Sequence, residues 1–125
     1  MALDFIGIVV ADMKTTLDFY RRLGLEFDDE TQDHVEAKLP NGLRIGFDTQ
    51  ELIRGFDPAW SAPSGSPRIS IAFLCADPSE VDSKYNDLLG AGYSGHKEPW
   101  DAFWGQRYAQ LRDPDGNGVD LFAPL

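Results

Sequence analysis

The chain has 125 residues, 42% hydrophobic and 26% charged, enough for one hydrophobic core without disulfide staples. Its 11 basic and 21 acidic side chains leave a formal charge of −10. That balance argues against nucleic-acid and anionic-membrane partners, because lysine and arginine bind both. No apolar run approaches the ~20 residues that span a bilayer. Met1-Ala2-Leu3-Asp4 lacks the basic opening and apolar centre of a signal peptide, and the lone Cys75 cannot form an intrachain disulfide, so a reducing cytoplasm is expected.

In chain order, residues 3–10 read as a buried strand, β-branched and apolar around Gly7. Asp12 is placed to cap a helix whose apolar stripe is Leu17, Tyr20 and Leu23, with Gly24 as its stop. Strands are expected near 25–29, 33–39 and 43–48, the last two joined through Pro40-Asn41-Gly42. Residues 50–67 read as a short helix or lid carrying Phe56 and Trp60, then a Ser/Pro/Gly linker. A strand at 68–75, a helix at about 78–89, and strands near 93–98, 105–112 and 117–122 complete the chain.

The second half repeats the first. Asp12 and Asp77 each follow an apolar strand, and the helices close at Leu23-Gly24 and Leu89-Gly90. Turns at Pro40-Asn41-Gly42 and Asp113-Pro114-Asp115-Gly116 then lead into apolar strands. The expected modules span about 1–49 and 68–125, each strand–helix–three strands, with a linker or lid over about 50–67. Equivalent residues of a duplicated unit are expected to converge on one central site.

Two stretches carry a resemblance to the vicinal oxygen chelate superfamily, which includes glyoxalase I, extradiol dioxygenases and bleomycin resistance proteins. They are Asp12 through Phe19-Tyr20 to Leu23-Gly24, and Trp104-Gly105-Gln106-Arg107-Tyr108-Ala109-Gln110-Leu111-Arg112-Asp113-Pro114-Asp115-Gly116-Asn117. The resemblance implies an α+β fold of two βαβββ modules, whose sheets form a half-open barrel around a cleft commonly completed by a dimer. It also implies four metal-ligand places, which here hold Phe5, Gly46, Ser70 and Asp120. A divalent transition ion takes three or four imidazole, thiolate or carboxylate ligands at ~2.0–2.2 Å. Only Asp120 qualifies, so no metal and no cofactor are expected. His34, His96, Glu36 and Asp48 could supply displaced ligands, although both histidines read as exposed strand-end residues.

Strand alternation assigns the remaining side chains. Phe5, Gly7 and Val9 share one face, as do Ser70, Ala72 and Leu74, while Ile6, Ile8 and Val10 face the helices. Arg44 and Asp48 flank Gly46; Gly118 and Phe122 flank Asp120; Tyr108 and Gln110 join that face, with Ala109 and Leu111 on the helix side. Trp100, Phe103 and Trp104 crowd a segment containing Pro99, expected to be loop-like at the mouth of the site, and Phe56 and Trp60 lie in the mid-chain insertion. The candidate ligand-binding set is therefore Phe5, Arg44, Asp48, Phe56, Trp60, Ser70, Trp100, Phe103, Trp104, Tyr108, Gln110 and Asp120. The resemblance points most closely to the metal-free bleomycin-resistance branch. It implies a homodimer that sequesters an aromatic or cationic small molecule, such as an antibiotic, without catalysis. The alternative is a lyase, isomerase or dioxygenase with displaced metal ligands, or an acid–base enzyme using Asp120, Tyr108 and Arg44.

Overall fold

The apolar run after Asp4 forms β1 (Phe5–Val10), and Asp12 then starts α1 (Met13–Arg22) by accepting a 3.0 Å bond from the Thr15 amide. This cap satisfies one of the free N–H groups at the helix start. The helix ends at Leu23, where Gly24 adopts φ +94° and the Leu25 amide returns to the Tyr20 carbonyl. The chain continues through β2 (His34–Lys38), β3 (Arg44–Thr49) and α2 (Gln50–Phe56). The computed structural model describes residues 1–125, and the chain divides into two compact units, Met1–Ser64 and Gly65–Leu125.

In the first unit the strand order is β1-β3-β2, with β1 parallel and β2 antiparallel to β3. Val10, Leu17, Phe19, Tyr20, Val35, Ala37, Ile45 and Phe47 are buried, leaving Phe5, Arg44, Gly46, Asp48, His34 and Glu36 on the opposite sheet face. No strand forms at 25–29, so this unit departs from the expected strand–helix–three strands. Leu25 is drawn into the core, and Phe27 packs edge-on against Phe47 at 5.7 Å. Beyond them, the Asp28 amide donates to the Glu36 carbonyl, but the Glu36 amide donates to the Asp28 side chain instead of to a backbone oxygen. The carboxylate takes the place of a ladder acceptor, and strand pairing goes no further.

The second unit contains β4 (Ser70–Leu74), α3 (Pro78–Gly90), β5 (Ser94–Ala102), β6 (Gln106–Arg112) and β7 (Gly118–Pro124). Here strand–helix–three strands is realised, in the sheet order β4-β7-β6-β5. Asp77 caps α3 through the Glu80 amide, and the Glu80 carboxylate reaches back to the Ala76 amide. Across β5, β6 and β7 lies α3, which buries Val81, Tyr85 and Leu88 with Ala109, Leu111, Val119 and Leu121. Gly95 permits this approach, since a Cβ there would meet the Tyr85 hydroxyl at 2.3 Å. The result is an α+β fold with two open sheets and three helices.

Trp100 lies within β5 and not on a loop. The register shifts between Lys97 and Trp100, where Pro99 has no amide to donate, so the strand bulges and resumes. Phe103, Trp104 and Gly105 form the turn from β5 to β6, with Gly105 at φ +90°.

Candidate functional site

On the first unit's open face the β1–β3–β2 register places Phe5 beside Arg44 and Lys38, Gly7 beside Gly46 and Glu36, and Val9 beside Asp48 and His34. The polar members form one chain of ion pairs. Arg44 donates to Asp4 and to Glu36, each at 2.8 Å, and His34 lies between Glu36 (2.7 Å from Nε2) and Asp48 (2.5 Å from Nδ1). With a carboxylate on each ring nitrogen, His34 is set up to be imidazolium. Its pKa is raised above 6.5, chiefly by the bond to Glu36 and next by Asp48. Glu36 is lowered in return, first by His34 and then by Arg44. His34 is thus the first residue of β2 and exposed, as expected of a strand-end histidine, but its ring is engaged by two carboxylates.

The Phe5 ring fills the middle of this face. It lies under the Arg44 guanidinium at 5.0 Å and stacks near His34 at 6.1 Å. A Cβ on Gly46 would sit 2.3 Å from its edge. The two places in this unit where the resemblance implies metal ligands therefore hold one aromatic ring and the glycine that makes room for it. His34 cannot rescue the site as it stands, because Glu36 and Asp48 approach opposite nitrogens and do not converge on one point. These residues do not fit a divalent transition ion.

The second unit's open face has a different character. Register aligns Ser70, Gly118, Arg112 and Ser94; then Ala72, Asp120, Gln110 and Lys97; then Leu74, Phe122, Tyr108 and Trp100. The last row is an aromatic wall. Tyr108 meets Trp100 at 5.5 Å and Trp104 at 5.4 Å, both edge-on, and lies nearly parallel to Phe122 at 6.3 Å. Phe103 continues the wall against Trp104 at 5.1 Å and is 97% exposed. Lys97 covers part of Trp100, its ammonium 4.1 Å from the ring centroid. Trp104 is fixed by its indole N–H, which donates to Gln106.

Asp120 stands in the next row, only 4% exposed. The Tyr108 hydroxyl donates to its Oδ2 at 2.7 Å, while Oδ1 is buried with no hydrogen-bond partner in the protein. Burial first, and then this bond, push Tyr108 up to about 12, so the phenol keeps its proton. Of the two places in this unit where the resemblance implies metal ligands, Ser70 is exposed on the edge strand and Asp120 is already half engaged by Tyr108.

The structure thus brings Trp100, Phe103, Trp104, Tyr108, Gln110 and Asp120 onto one face, with Ser70 at its far corner. Phe5, Arg44 and Asp48 belong to the first unit's ion-pair face. Phe56 is 73% exposed at the end of α2, and Trp60 lies under the Arg54 guanidinium at 5.2 Å. Neither joins a described sheet face. Lys97 is not legible as a site residue in the sequence, because the bulge at Pro99 hides its alternation with Trp100. Asp4 is visible only through its bond to Arg44, forty positions away.

A family model described as the glyoxalase/bleomycin resistance protein/dioxygenase superfamily matches residues 2–121. YraH, an uncharacterized protein of Bacillus subtilis (strain 168), is 27% identical over 126 residues, covering 96% of each chain. Among solved structures, a glyoxalase/bleomycin resistance protein/dioxygenase family enzyme from Burkholderia phytofirmans PsJN superposes with a TM-score of 0.85 at 19% identity, covering all of both chains. A glyoxalase/bleomycin resistance protein/dioxygenase from Nocardioides gives 0.78 at 23%, covering 100% of this chain and 84% of that one. With its two open sheets, its caps at Asp12 and Asp77 and this match along nearly its whole length, the chain belongs to the glyoxalase/bleomycin resistance protein/dioxygenase superfamily.

Proposed function

We propose that this protein is a metal-independent binder of an aromatic small molecule, held against the open face of β5, β6 and β7, and that it acts by sequestration. The carrying observation is the contiguous wall of Trp100, Trp104, Tyr108 and Phe122, extended by the exposed Phe103. A core would bury such rings, whereas this sheet buries its helix side and leaves them on the other. Each well-placed aromatic contact adds ~0.5–1.5 kcal/mol beyond burial. Metal independence is supported by Phe5 filling the space at Gly46 and by the split carboxylates around His34. Family likeness and the exposed Leu74 and Phe103 support a homodimer, the single free Cys75 suits a reducing cytoplasm, and an aromatic or cationic antibiotic suits the wall.

The acid–base alternative is less well supported. Tyr108 keeps its proton to about pH 12, and Arg44 is occupied by Asp4 and Glu36. Titration of the chelator-treated protein with a neutral planar ketone, 2-acetonaphthone, tests the binding reading by tryptophan fluorescence. Saturable quenching that is unchanged on adding Zn, Ni, Mn or Fe ions is expected. Quenching that appears only with one of those ions would remove metal independence.

A further inference from the structure

Asp120 presents a chemical demand that the chain leaves unmet. It is a carboxylate with one oxygen bonded to Tyr108 and the other buried without a partner. A buried polar atom left this way is costly, and a charged one more so, unless a donor reaches it. The unit's own cations do not provide that donor. Arg107 lies on the helix side, engaged by Asp82 and Asp101. Arg112 donates to the Leu111 carbonyl, and Lys97 lies over Trp100.

The donor's position relative to the wall is fixed by the register. Asp120 and Tyr108 are on adjacent strands and joined by a hydrogen bond, and Tyr108 is in ring contact with Trp100, Trp104 and Phe122. Asp120 therefore lies one row from the wall, within reach of a substituent on a ring held there. We propose that Asp120 Oδ1 is the polar anchor of the ligand site, and that the ligand class is a planar aromatic bearing a cationic N–H group, such as an amidinium, guanidinium or protonated amine. This rests on the aromatic-binding reading and adds the ligand's charge and the atom that recognises it. Gln110, the partner of Asp120 across the β6–β7 pair, is half-buried on the same face. The Tyr108 hydroxyl occupies Oδ2 and leaves Oδ1 for the ligand. The formal charge of −10 attracts any cation, so the test must separate general attraction from this one carboxylate.

Two probes of nearly the same outline serve, naphthalene-2-carboxamidine (cationic, with N–H donors) and 2-acetonaphthone (neutral, without them). Calorimetry at physiological salt is expected to show the amidine binding at least about tenfold more tightly, the scale of a charge-assisted hydrogen bond. Asp120→Asn, nearly isosteric, removes one unit of ten from the net charge and is expected to bring the amidine down to the affinity of the ketone. Tyr108→Phe keeps the ring and releases Oδ2 to form a second bond, so the preference for the amidine is expected to grow several-fold. Equal binding of both probes by the wild type would overturn the anchor while leaving aromatic binding intact. A Tyr108→Phe variant that loses both probes alike would also overturn it. Binding of neither probe would overturn the anchor and the aromatic-binding reading together.

Discussion

At the scale of single residues, His34 gives the clearest link between charge and stability. Its two carboxylate partners favour the protonated ring and raise its pKa above the unfolded value of 6.5. The stabilisation from this shift is fully present below 6.5 and is lost as pH rises through the raised folded pKa. The ring is 41% exposed, so solvent screening keeps the contribution below ~1 kcal/mol. Urea unfolding of the wild type and His34→Ala across that pH range checks this. The wild type is expected to lead at mildly acid pH and lose that part of its lead when alkaline; a lead that grows with pH would be the opposite sign. The pairing of residues 34 and 48 could not be read from sequence, because it depends on the β2–β3 register, which a turn through Gly42 suggests without fixing. That Phe5 and Gly46 stand where the family resemblance implies metal ligands was legible in the sequence. Their steric complementarity was not, because it needs the parallel β1–β3 pairing.

At the scale of elements, the sequence was most legible where capping and alternation agree. Asp12 caps its helix as expected, Asp77, its counterpart in the repeat, caps α3, and Ala109 and Leu111 turn toward α3 while Tyr108 and Gln110 turn away. Such features are local, set by one residue's hydrogen bond or by the two-residue period of a strand. Legibility failed where tertiary demands outweighed local pattern. Residues 25–29 have strand-like apolar content, but Leu25 and Phe27 serve the core and Asp28 takes a backbone amide with its side chain. The Trp100 segment has a loop-like composition around Pro99. The bulge lets β5 continue and places Trp100 beside Tyr108, so Trp100, Tyr108 and Phe122 of the wall are strand-mounted and more precisely held than loop residues, while Trp104 and Phe103 lie on the turn.

At the scale of the whole molecule, the family was legible in the repeat and in the run from Trp104 to Asn117, and the match over residues 2–121 agrees with it. The ligand was not legible, since one open sheet face serves many ligands in a shared fold. The exposed apolar side chains make a second prediction at this scale. Leu74 is 68% exposed at the end of the row that holds the aromatic wall, and Phe103, which extends that wall, is 97% exposed; such apolar exposure suits a partner surface. Sedimentation equilibrium at micromolar concentration is expected to report a homodimer. A monomer throughout, or open-ended association, would count against it.

The central claim is that the ligand site is the aromatic wall of the second unit. Nuclear magnetic resonance of the indole N–H groups tests it directly, because the chain has three tryptophans and only two belong to that wall. Adding 2-acetonaphthone is expected to shift the Trp100 and Trp104 signals progressively, while Trp60, beneath Arg54 in the first unit, stays in place. Movement of Trp60 alone, or of no indole signal at saturating ketone, would contradict the account.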